Sequence, residues 1–97
     1  MAIKVERSSG NVFRDLGFSP EEAENLRVRA ELMVEVSRLI KRRKLTQAAA
    51  AKLMGVTQPR ISDLVRGKIG PFSIETLLGM LTRAGVPVRI QVGHRGR

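Results

Sequence analysis

Residues 46–67 read TQAAAAKLMGVTQPRISDLVRG, and this stretch decides the fold. Thr46 is a helix-capping residue type, whose hydroxyl oxygen accepts a backbone N–H left over in a first turn. The alanine-rich run behind it favours helix. Gly55 stops it, where a left-handed backbone is cheap only for glycine. Thr57 then opens a second run. Pro59 preorganises its start, because a proline there leaves no N–H unpaired. Helical spacing sets Ala50, Met54, Val56, Ile61 and Leu64 on inward positions, and the small Ala51 where the two runs cross most closely.

The same punctuation recurs outside this stretch. Phe18-Ser19, Leu45-Thr46, Val56-Thr57 and Phe72-Ser73 each place an apolar residue before a cap. Each apolar residue has a partner five positions on (Ala23, Ala50, Ile61, Leu77), which is the spacing of a hydrophobic staple. Ser19 and Glu22 further match a capping box, with Pro20 at the first helical position. Helices are expected over residues 20–43, 47–54, 58–65 and 74–84, which makes the fold class all-α. Residues 88–92 alternate apolar and polar and read as a short C-terminal β-strand; Ile3 and Val5 alternate with Lys4 and Glu6 in the same way. Residues 8–11 read as a loop, and Val12, Phe13 and Leu16 as a small apolar cluster that must bury itself. The chain divides into an N-terminal extension (1–17), a helical domain (18–86) and a strand with a basic tail (87–97).

Composition narrows the function. The chain has 97 residues, enough for one domain, with no Cys, Trp or Tyr and a single His. Thiolate metal sites, disulfides and Cys nucleophiles are excluded, and His94 sits alone in the tail, so neither an enzyme nor a cofactor is expected. No apolar run has membrane-spanning length and no signal-peptide core follows Met1, so a cytoplasmic protein is expected. The net charge is +9, unevenly spread: residues 1–40 sum to −1 and residues 41–97 to +10. The basic half is suited to a polyanion. The acidic residues Glu21, Glu22, Glu24, Glu31 and Glu35 share one helix with Arg27, Arg29 and Arg38, and intrahelical ion pairing accounts for them.

Two short helices on a glycine turn, flanked by positive charge, form a helix-turn-helix, whose second helix enters the major groove of duplex DNA. RNA is disfavoured, because three Phe residues, two of them at staple positions, supply no stacking platform for bases. The first turn of the second helix holds Thr57, Gln58, Pro59 and Arg60. Gln pairs in bidentate fashion with adenine and Arg with guanine, so Gln58 and Arg60 are the expected base readers. Pro59 offers apolar contact to a thymine methyl, and Ser62 lies within reach further along; Asp63 would be repelled by phosphate and reads as a structural or specificity element. Arg66 and Lys68, in the loop beyond, and Lys52 on an exposed face are candidate phosphate contacts, with Thr46 and Thr57 at the two helix starts. Lys41 to Lys44 either reach the DNA backbone or complement the helix dipole.

Residues 46–67 resemble the helix-turn-helix of the Cro and phage-repressor (XRE) family, and residues 20–85 its five-helix, lambda-repressor-like core. Residues 9–17 and 70–75 resemble a narrower subgroup, the HigA-like antitoxins and related regulators encoded beside RelE-like toxins. The resemblance implies that Gln58 reads a base and that Gln47 contacts phosphate and braces the recognition helix. It implies a homodimer on two half-sites of a double-stranded operator, and a RelE-like ribonuclease toxin as second partner. Val12, Phe13 and Leu16 are the candidate toxin contacts, with packing on the protein's own long helix as the alternative. Val88, Ile90 and Val92 lie on a strand whose edge must be hidden, by a symmetry mate or by the Ile3 to Val5 segment, as the nucleus of a dimer sheet. The remaining readings are a stand-alone phage-type repressor and a protein-interaction module without DNA binding.

Overall fold

A computed structural model describes residues 3–7 and 12–93. The loop expected at 8–11, and the basic tail with His94, lie outside the described residues. The order is β1 (Ile3–Arg7), α1 (Val12–Asp15), α2 (Pro20–Arg42), α3 (Gln47–Met54), α4 (Gln58–Val65), α5 (Ile74–Arg83) and β2 (Val88–Val92). The architecture is predominantly α-helical, with five helices and one short pair of strands.

The four capped helix starts form as the cap residues dictate. Ser19, Thr46, Thr57 and Ser73 each accept, through the side-chain oxygen, the backbone N–H three residues on. At Ser19 the capping box is complete, because Glu22 accepts from the Ser19 N–H in return. Gly55 ends α3 with φ of 73°, and Lys44 takes φ of 55° between α2 and α3. The core lies where α2, α3, α4 and α5 converge. Leu32, Val36, Leu39, Ala50, Met54, Ile61, Leu64, Phe72, Leu77, Met80 and Leu81 are buried there. The small Ala51 is buried with them, as the close crossing of α3 and α4 requires.

The acidic residues of α2 are largely spent within the helix. Arg27 pairs with Glu24 at 2.8 Å and also with Glu31, and Arg38 with Glu35 at 3.3 Å. Hydrogen bonding to the Glu24 carboxylate, partly opposed by burial and reinforced by both carboxylate charges, holds the Arg27 pKa above its usual value. Arg29 departs from the expected intrahelical pairing. Its Nη1 meets Asn25 of the same helix, but Nε and Nη2 reach out to the Phe72 and Ile69 carbonyls of the α4–α5 loop.

Two flanking features differ from their expectations or choose between them. The strand edge is met within the chain: β2 pairs with β1 in parallel, with Ile3 opposite Val88 and Arg7 opposite Val92. The cluster of Val12, Phe13 and Leu16 does not bury itself as a unit. Only Phe13 turns inward, packing edge-to-face on Phe18 at 6.3 Å and lining a groove with Met33 and Val34 of α2. A helix of four residues has one inward face, so Val12 and Leu16 stay about two-thirds exposed.

Candidate nucleic-acid interface

The interface begins with the way α4 is held. Its buried residues are Ile61 and Leu64, separated by three positions and therefore on one face. They pin the helix to the core and turn Gln58, Pro59 and Arg60 outward; all three are exposed, as is the cap Thr57. Ser62 and Asp63 flank the buried seam and are half-buried.

The cap arrangement leaves chemistry to spare. The Thr57 hydroxyl oxygen accepts the Arg60 N–H at 3.3 Å, and the Thr46 oxygen the Ala49 N–H at 3.0 Å. Each hydroxyl keeps its own proton to donate elsewhere. The first N–H groups of α3, at Gln47 and Ala48, also lie ahead of the helical ladder, where an anion is favoured. Gln47 is half-buried at that start, and Lys52 is exposed in the last turn of the same helix.

Beyond α4, Arg66 and Lys68 are exposed. The Lys68 N–H donates to the Asp63 carbonyl at 3.0 Å, and its ammonium lies 3.9 Å from the Asp63 carboxylate. Asp63 therefore fastens the loop from its base, and it is the one acidic residue between Glu35 and Glu75. The field around the outward turn is accordingly positive, from Lys52, Arg60, Arg66 and Lys68. Arg60 itself is not wholly free: its Nη1 donates to the Pro71 carbonyl at 3.4 Å.

Three arginines that matter to this arrangement carry no local signal in the sequence. Arg29 grips the loop after α4. Arg43 donates to the Ala84 carbonyl at 3.1 Å, so one member of the basic run at 41–44 satisfies the end of α5. Arg83 lays its side chain across the turn, where a Cβ on Gly55 would come within 2.9 Å of it. Each contact joins residues at least 28 apart, beyond the reach of any helical spacing rule.

The strand residues named from sequence divide. Val88 packs partly on the core, whereas Ile90 and Val92 are 63% and 59% exposed. Among the described residues no group of His, Cys, Asp or Glu is placed to hold a metal ion, and no helix is long and apolar enough to cross a membrane.

A search of curated proteins finds no match for the chain. A family model described as a helix-turn-helix domain matches residues 12–93, from α1 to the end of β2. With α3, the Gly55 turn and α4 at its centre, the chain belongs to the helix-turn-helix domain family and is DNA-binding in character.

Proposed function

We propose that the chain is a sequence-specific transcriptional regulator of double-stranded DNA, and that it serves as the autorepressing antitoxin of a toxin–antitoxin pair. The observation that carries the DNA reading is the outward first turn of α4: Gln58, Pro59 and Arg60 are exposed while Ile61 and Leu64 of the same helix anchor it. Gln58 and Arg60 read base edges, through adenine N6/N7 and guanine O6/N7. Pro59 and Ser62 line the same groove. Thr46, Gln47, Thr57, Lys52, Arg66 and Lys68 bind phosphates on either side and set the register.

One recognition helix covers only a few base pairs, so the regulator works as a homodimer on two half-sites about 34 Å apart. The exposed Ile90 and Val92, the edge of β2 that is unpaired among the described residues, and a groove of about 350 Å³ between β2, α2 and α5 support a dimer face on that side. The antitoxin reading rests on the HigA-like character of residues 9–17 and 70–75, with exposed Val12 and Leu16 as toxin contacts. A cytoplasmic location belongs to the same reading.

The test is selection of a binding site from a random duplex pool, followed by titration at several salt concentrations. A selected site with steep salt dependence is expected; absence of any preference would leave a protein-interaction module. Co-expression with the neighbouring open reading frame then separates the antitoxin from a stand-alone repressor, which would purify alone.

A further inference from the structure

Two arginines from different helices hold the short loop between α4 and α5. Arg29, half-buried on α2, donates from Nε to the Phe72 carbonyl at 2.6 Å and from Nη2 to the Ile69 carbonyl at 2.8 Å. Its Nη1 meets Asn25 Oδ1 at 3.2 Å, which fixes the plane of the guanidinium. Pro71 lies between the two gripped carbonyls, and Phe72 is fully buried, so the loop has little freedom at this point. The Pro71 carbonyl accepts from Arg60 Nη1.

A guanidinium is a planar fork of five N–H donors. With Nη1 of Arg60 turned to Pro71, its Nε–Nη2 edge stays available for side-on pairing with guanine O6 and N7. An exposed arginine normally loses much rotamer freedom on binding, and a brace in the free protein removes part of that cost.

We propose that Arg29 is a positioning residue for base recognition: by fixing the Pro71 carbonyl it holds Arg60 with one guanidinium edge presented to the groove. It thereby sets preference at a single base pair without touching DNA. This rests on the reading of α4 as the base-reading helix.

The experiment compares the full-length wild type with R60A and R29K on the selected duplex and its single-base variants. Lysine keeps the charge but cannot span two carbonyls with a rigid fork. R29K is expected to lose about five- to tenfold discrimination at the base pair that R60A relaxes, a share of what a bidentate pair supplies. Other positions and the salt slope should be unchanged, and R29K should add nothing at that base pair in the R60A background. A uniform weakening on every duplex, or no change, overturns the proposal and leaves Arg29 a purely structural clamp. A wild type that selects no sequence removes the base-reading assignment and this inference with it. If R29K loses its helical circular dichroism, the wild type decides through the Arg60 guanidinium ¹⁵N resonances. Hindered rotation about Cζ–Nη1 in the free protein supports the brace, and free averaging overturns it.

Discussion

The two-helix unit of α3 and α4 and the paired strands β1 and β2 start from similar material and finish differently. Both are short and were legible from apolar spacing. In the helical unit Ala50, Met54, Ile61 and Leu64 are buried to within 2% of completely. On β2 the alternation is equally regular, yet Ile90 and Val92 remain mostly in solvent. Parallel strands are normally covered on both faces, and an isolated pair is marginal by itself. The helical unit is thus finished inside one chain, whereas β2 has apolar surface left over, which the proposed homodimer would cover.

The sharpest way to break this contrast is to remove volume from the finished side. Ile61→Ala should cost about 2–5 kcal/mol of stability, read as a fall in urea midpoint by circular dichroism. A loss below about 1 kcal/mol would mean that the α3–α4 seam is not the core. Next comes the outward face of the same helix. Arg60→Ala should leave the urea midpoint unchanged but cost about 1–3 kcal/mol of binding on the selected duplex, with preference relaxed at one base pair. Thr57→Ala removes a cap and should cost about 1 kcal/mol of stability. It should also weaken DNA binding, because the same hydroxyl is assigned to a phosphate. Lys68→Ala should weaken binding to all duplexes alike and lower the salt slope by about one, seen in titrations from low to high salt. The smallest effect on folding belongs to the ribbon. Ile90→Ser should change the stability of the isolated chain by no more than about 0.5 kcal/mol. In sedimentation equilibrium it should nevertheless shift the mass from dimer toward monomer; a dimer of unchanged strength would move the interface elsewhere.

Much of the fold was readable because helix starts are local. A cap, its N–H acceptor and its staple lie within five residues, so Ser19, Thr46, Thr57 and Ser73 announce themselves. The outward turn at Thr57 to Arg60 was legible for the same reason, since Gly55 and the buried Ile61 fix its direction. The unread part is long-range and polar. Arg29 has no acidic residue three or four positions away on its own helix, and nothing in its local sequence says that it reaches carbonyls 40 and 43 residues away. The pairing of β2 was open between two edges for a related reason: alternation specifies a face, not a partner. Val12 and Leu16 show the limit of the rule that apolar residues bury themselves, because a single helical turn offers only Phe13 an inward position.

The register that sets Ile3 beside Val88 also imposes an order of events. The helical unit can consolidate once α5 has been made, because its buried residues pack against α2 and α5 as well as against each other. The ribbon must wait until a strand near the start of the chain meets one synthesised more than eighty residues later. Until then β1 stays unpaired beside the packed helices, so a nascent chain can present the outward turn of α4 before its two strands are stitched together.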